Sequence, residues 1–191
     1  MRHAMDGASL LELLIAITVF AVGIAIAVPG YRTLSESVRS ASLNAELIAA
    51  LNTTRQSAVF GRTPVSICVS ETGVSCTEES GWHTGWIIFE DPKRLGRCVD
   101  SLDDGRCDTG GGRILQVNTR SVAGLTIVAN HNVRHRVRFN SSGMSPGSNG
   151  RLTICAQNEA RPLRGIVLSN PGRVRVAAAR ELLECPPDMP G

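Results

Sequence analysis

Two periodicities divide the chain. From residue 13 to 31 (LLIAITVFAVGIAIAVPGY) no position carries charge. With Leu10 and Leu11 the apolar stretch reaches about twenty residues, the length at which a helix spans a bilayer. Helical spacing continues beyond it: Leu34, Val38, Ala41, Ala45, Ile48 and Leu51 recur at intervals of 4, 3, 4, 3 and 3, an amphipathic stripe. Past Gly61 the period drops to two. Strands are predicted over 64–69, 84–90, 113–117, 125–129, 133–140, 152–156, 163–169 and 173–177. The segments ETGVSCTEESG, DPKRLGRCVDSLDDGRCDTGGG and NSSGMSPGSNG between them are rich in Gly, Ser and Asp and read as loops. One long helix followed by many short antiparallel strands is the α+β class.

Charge sharpens the picture unevenly. The 191-residue chain is long enough for one domain with a real core. Its net charge of +3 hides a gradient: residues 1–60 balance four arginines against four acids, 61–130 carry seven bases and nine acids, and 131–191 carry nine arginines and four acids. Every base but Lys93 is arginine. Arginine grips carboxylates and phosphates in a fork and keeps its charge when partly desolvated, so the basic final third points to an anionic partner.

Cys68, Cys76, Cys98, Cys107, Cys155 and Cys185 form no C-x-x-C pair. That removes the zinc-knuckle and thioredoxin-type motifs. An even number at loop-like spacings favours disulfides and an oxidising compartment. Several pairings are open. The sequential set, Cys68 with Cys76, Cys98 with Cys107 and Cys155 with Cys185, is the expectation: two short hairpins closed and the tail stapled to a strand.

Arg2 precedes the apolar run, and positive-inside bias would keep that end cytoplasmic and everything after Tyr31 on the oxidising side. A cleaved secretory signal would need a small-residue site after the apolar run, and A-I-A at 25–27 offers one. Two features oppose it. Glu12 stands inside the run, where a carboxylate costs ~3 kcal/mol at the bilayer centre and less towards an end. The amphipathic stripe also follows directly, so the helix reads as a spine.

DGASLLELLIAITVF resembles the prepilin motif of type IV pilins. The resemblance implies that a prepilin peptidase cuts between Gly7 and Ala8, that the new amine is methylated, and that Glu12 meets the amine of a neighbouring subunit during filament assembly. Glu12 would lie one helical turn from the new ammonium, and the two charges would neutralise each other inside lipid. The family usually carries Phe or Met after the cut, where this chain has Ala8. Pro29 matches the proline that interrupts the pilin helix, where the lost backbone bond permits a kink.

VSICVSETGVSC, GWIIFEDP, VRFNSSGMSPGSNGRLTIC and RGIVLSNPGRVRV resemble the FimT/GspH family of minor pilins and pseudopilins, and the resemblance runs from Gly7 to Cys185. It implies a type IV pilin-like α+β fold, with a long N-terminal helix, transmembrane then amphipathic, packed on an antiparallel β-sheet domain. It divides the chain into a leader (1–7), a membrane and filament helix (8–30), an amphipathic continuation (31–60) and a periplasmic domain (61–191). The implied partners are other pilins or pseudopilins, the prepilin peptidase and the bacterial inner membrane. The implied role is a minor pilin that primes or joins a pilus, with pseudopilin H of type II secretion as the alternative. Neither an enzymatic activity nor a cofactor is expected. The loop holding Cys98 and Cys107 reads as an insertion.

Other patterns weaken on inspection. GMSPG (143–147) fits the G-x-S-x-G nucleophile elbow, but Pro146 lacks the N–H that the oxyanion hole needs, so a polar turn is expected. His83, His131 and His135 show no zincin spacing and read as surface histidines. Asp100, Asp103, Asp104 and Asp108 cluster as calcium ligands do, without EF-hand spacing, and read as a solvated loop.

Two arginine-rich strands remain. Side chains at i and i+2 share a face, so Arg173 and Arg175 should point together, with Val174 and Val176 towards the core. In VRHRVRF, Arg134, Arg136 and Arg138 should share one face, and Val133, His135, Val137 and Phe139 the other. If the two strands lie near each other, five arginines form a stripe suited to a polyphosphate backbone. GRVRV also matches the G-R-x-R motif of FimT-type pilins, and that resemblance implies double-stranded DNA as a partner. With no aromatics interleaved except Phe139, binding would be non-specific and salt-sensitive. The plain alternative is that arginines solubilise an edge strand.

Overall fold

The computed structural model describes residues 10–157 and 159–186, the side chains at 26, 27, 29 and 32 excepted. The helical stretch is a single element, α1 (Leu10–Phe60), with Glu12 in its first turn. Position 29 lies within this uninterrupted helix, and the kink expected at Pro29 falls on a side chain outside the described residues. Gly7 and Ala8 also lie outside them.

The chain divides inside α1 into two units, Met1–Val38 and Arg39–Gly191. In the first, Leu10, Leu13, Ile17, Phe20 and Ile24 are all exposed. Thr18 returns its hydroxyl proton to the Ile15 carbonyl at 2.8 Å, so the helix hides its own polar group. Among the described residues no helix is long and apolar enough to cross a membrane. The expected span draws on residues 26 and 27, whose side chains are not described; the described apolar run covers 10–25.

In the second unit, α1 buries Leu43, Leu47, Ala50, Leu51 and Ala58, with Ser40, Asn44 and Thr54 on the same track. This corrects the predicted stripe. Leu34 and Val38 are exposed, Ala45 is exposed, and Ile48 is only half-buried. Alanines complete two adjacent apolar tracks on this helix, and the leucines decide which one is covered, because each adds about 2–5 kcal/mol over alanine when buried. Thr54 bonds the Ala50 carbonyl at 2.7 Å and so sits in the core without an open valence.

Eight strands follow, in two antiparallel sheets. The first has the order β3 (Ile114–Asn118), β2 (Trp86–Glu90), β1 (Val65–Val69), β5 (Arg136–Phe139). The second has the order β4 (Leu125–Ala129), β6 (Gly150–Ala156), β7 (Arg161–Leu168), β8 (Val174–Val176). Alternation of buried and exposed positions is absent from β1 and β2, where nearly every residue is buried. Continuous burial means that both faces of this sheet are covered. One face shares a core with α1 and the second sheet through Ile67, Ile88, Ile127, Ile154 and Leu47. The other packs Ile87 and Phe89 against Cys68, Cys98 and Cys107. The loop read as an insertion thus roofs the outer face.

The predicted strand 133–140 is shorter. His131–Val133 forms a 3₁₀ turn, and Val133 is held there because its carbonyl accepts the buried Trp82 indole N–H at 2.9 Å. The C-terminal tail covers the outer face of the second sheet. The Leu183 amide donates to the Thr153 hydroxyl at 2.8 Å, and the Ala177 amide donates to the Gly165 carbonyl at 2.8 Å. The cystines join Cys68 to Cys76, Cys98 to Cys107 and Cys155 to Cys185.

Gly172 explains the first letter of GRVRV. It is buried with φ +79°, and a Cβ there would run into the Gly143 carbonyl, which accepts the Arg55 guanidinium at 2.9 Å. Gly172→Ala should therefore destabilise the domain by about 2–4 kcal/mol, from left-handed strain plus overpacking. A lowered urea midpoint with unchanged slope checks this. Replacing Cys155 and Cys185 together by serine should cost about 3–4 kcal/mol, because the released loop is thirty residues long. Denaturation with and without reductant measures it: the variant should lose its reductant dependence at that site.

Candidate functional site

The arginine strands occupy different sheets. On β5, Val137 and Phe139 are fully buried, while Arg136 and Arg138 point outward. Arg134 lies before the strand, in α conformation after the 3₁₀ turn, and is out of register with them. The expected row of three is therefore a pair plus an offset neighbour. On β8, Val174 is half-buried, whereas Val176 is 58% exposed, which corrects its expected core position. β8 is an edge strand three residues long, and burial falls off along it to its last residue.

β5 pairs with β1 and β8 with β7, so the two segments are not strand neighbours and the continuous stripe of five arginines does not form by pairing. Ser145 links them instead. Its hydroxyl donates to the Arg138 carbonyl at 3.0 Å and its amide to the Asn170 carbonyl at 2.8 Å. Ser145 is fully buried, a structural serine in the polar turn expected of GMSPG.

Arg175 is spoken for. Its Nη1 and Nη2 form a fork on Glu181, at 2.8 Å and 2.6 Å, and Glu181 also accepts the Ala178 amide at 2.8 Å. Hydrogen bonds from Arg175 and then Ala178 hold the Glu181 carboxyl down to about 2, so it stays ionised through neutral pH. The same fork raises the Arg175 guanidinium pKa. Arg151 reaches the Glu181 carbonyl at 3.3 Å, so two arginines of this face serve the tail. Arg173, by contrast, is exposed at the entrance to β8.

Arg136 pairs with Glu78 at 3.3 Å between exposed side chains, a contact worth about 0–1 kcal/mol and easily exchanged. A groove of about 580 Å³ runs beside β5, lined by Arg94, His131, Arg134, Arg136, Arg138 and Ser148 among others. Among the described residues Glu78 is the one carboxylate in its wall. Sequence reasoning missed Arg94, which sits in a loop about forty residues upstream, inside the acidic third of the chain.

Two histidines depart from the expected surface placement. His83 and His135 are half-buried, and each has a buried Nδ1 without a hydrogen-bond partner. Burial lowers the His83 pKa against the pull of Glu71. Burial also lowers His135, opposed by Glu78 and assisted by Arg134 and Arg136. The aspartate loop is internally occupied: Asp100 accepts the Asp104 and Gly105 amides at 3.1 Å and 2.8 Å, and Asp108 accepts the Ser101 hydroxyl at 2.6 Å. Among the described residues no cluster of three or more His, Cys, Asp or Glu could hold a metal ion.

Among curated proteins no relative matches the chain in sequence. Its fold is similar to that of the type IV minor pilin FimU of Pseudomonas aeruginosa: TM-score 0.53, 21% identity, 75% of this chain and 92% of that one covered. GspH of Escherichia coli gives a TM-score of 0.48 at 17% identity, over 76% of this chain and 92% of that one. The family model described as type II transport protein GspH matches residues 44–172, more than half of the sequence. This match places the chain in the family described as type II transport protein GspH, and its helix and two sheets give it the fold seen in a type IV minor pilin.

Proposed function

We propose that this chain is an inner-membrane-anchored minor pilin that primes or joins a pilus, processed by a prepilin peptidase between Gly7 and Ala8 and methylated on the new amine. Residues 8–30 serve as membrane anchor and filament helix, 31–60 continue the spine, and 61–191 form the periplasmic domain. Glu12 sets the register by meeting the amine of a neighbouring subunit, and Pro29 provides the bend. The role is structural and binding, not catalytic.

The observation that carries this reading is the division of labour along α1. Its first part leaves Leu10, Leu13, Ile17 and Phe20 uncovered around Glu12, while Leu43, Leu47 and Leu51 are consumed by the domain core. Uncovered leucines on one continuous helix need a second apolar environment, and lipid or neighbouring filament helices supply it. A carboxylate among them needs a cation, which cleavage before Ala8 creates one turn away.

Double-stranded DNA is the second proposed partner, contacted without sequence preference through Arg173 and the outward arginines Arg136 and Arg138, with Arg134 beside them. Arg175, neutralised by Glu181, contributes less to this than the G-R-x-R pattern suggests. The description of the matching family as type II transport favours a second reading, pseudopilin H at the tip of a secretion pseudopilus. Deleting the gene separates them: loss of DNA uptake with secretion intact supports the pilus, and the converse supports the pseudopilus.

Mass spectrometry of the protein recovered from cells should show a polypeptide beginning at a methylated Ala8. A polypeptide beginning at Met1, or after residue 27, overturns the processing step. Glu12→Ala should leave the domain folded and the chain in the membrane while reducing its recovery in sheared filaments at least tenfold; unchanged recovery rejects the register role.

A further inference from the structure

The segment DPKRLGR reads as a loop, yet the structure gives it a fixed shape. The Asp91 carboxylate is buried and accepts the Ser66 hydroxyl at 2.7 Å and the Leu95 and Gly96 amides at 2.7 Å and 2.8 Å. The resulting tight turn holds Arg94 at φ +59° and Gly96 at φ +67°. An arginine held left-handed is uncommon and persists only where its surroundings fix it. Here β5 does so: Arg138 Nη1 donates to the Arg94 carbonyl at 2.9 Å. Gly96 leaves room for Arg136, since a Cβ there would meet Arg136 Cδ at 2.9 Å. Two segments far apart in sequence thus line one groove, and Arg97 and Arg136 line a hollow of about 310 Å³ adjoining it.

We propose that the groove between the 91–97 turn and β5 is the main phosphate-binding surface of this protein, receiving one strand of a nucleic acid backbone, with Arg94, Arg134, Arg136 and Arg138 as its contacts. This rests on the DNA reading above and relocates it away from the C-terminal motif. Arg134 and Arg94 are exposed, and neither guanidinium makes a hydrogen bond or ion pair among the described residues. They are therefore available without dismantling the fold, as Arg175 is not.

The lining selects the class of ligand. Leu95 and Pro146 are its apolar members, and no Phe, Tyr or Trp among the described residues lines it. A protein partner would lack the aromatic anchors that concentrate binding energy. His131 and His135 are the rings in its lining, and the four arginines around them favour the backbone as the recognised part. Arg136 and Arg138 stand about 6.8 Å apart along the strand. Duplex DNA rises about 3.4 Å per phosphate along its axis, and the backbone winds obliquely to that axis, so the pair suits neighbouring phosphates of one strand. Arg94 and Arg134 extend the contact beyond what a single headgroup phosphate would occupy. Guanidinium forks bind such oxygens in pairs.

The test is fluorescence anisotropy of a labelled thirty-base-pair duplex of arbitrary sequence (length about 100 Å) with the full chain in neutral detergent. Arg94→Gln with Arg134→Gln should weaken binding about tenfold and make the log affinity against log salt slope shallower by about 2. The corresponding lysine pair should recover most of the loss, which a merely structural role would not allow. Arg173→Gln should weaken binding less than the groove pair does. If the duplex binds and the groove pair leaves affinity and slope unchanged while Arg173→Gln abolishes binding, the groove proposal is overturned and the DNA reading stands. If the duplex does not bind at all, both fail. Equal or tighter binding of polyglutamate or of anionic phospholipid vesicles would also overturn the groove as a nucleic-acid surface.

Discussion

Neither four-stranded sheet could hide its inner face from water by itself. Leu43, Leu47 and Leu51 of α1 complete the core that Ile67 and Ile88 of one sheet share with Ile154 and Ile166 of the other. That contact fixes which face of each strand is inward, and hence which face carries arginine. It also separates the two parts of the helix. Leucines between 43 and 51 are satisfied within the domain, while those between 10 and 14 remain uncovered in the single chain. An assembly subunit needs both, a self-sufficient domain and a helix that is incomplete without neighbours.

The same residue type serves two physical ends. Arg175 and Arg151 hold the returning tail through Glu181, and Arg55 holds the seat of Gly172 through the Gly143 carbonyl. Of these three, Arg175 has its charge answered by a carboxylate, while Arg151 and Arg55 each give an N–H to a carbonyl. Arg94, Arg134 and Arg136 are held by backbone placement or by an exposed ion pair, and their charge is directed outward. The difference is one of partners. A bidentate carboxylate at 2.6 Å removes an arginine from the field seen by a ligand, and a carbonyl behind the turn does not.

Roofing the first sheet with a cystine-closed loop has a further effect. Cys98 and Cys107 cover Ile87 and Phe89, so the acidic loop lies on the outer face and its carboxylates bind its own amides. The basic turn at 91–97 lies beside β5, where the Arg94 carbonyl accepts Arg138.

All eight strands were legible from short β-rich runs bounded by turn residues, although β1 and β2 are buried on both faces and do not alternate, and the long helix was legible from its apolar run and helical spacing. Those signals are local, set by the pleat and by the absence of charge. The buried track of α1, the exposure of Val176, the 3₁₀ turn before β5 and the capture of Arg175 by Glu181 were not legible. Each depends on what a residue meets across space. Sequence determined that the chain makes a long helix and arginine-faced strands, because alternation and hydropathy act between near neighbours. Tertiary structure alone decided which arginines are free, because a guanidinium is neutralised by whichever carboxylate the fold brings within about 3 Å.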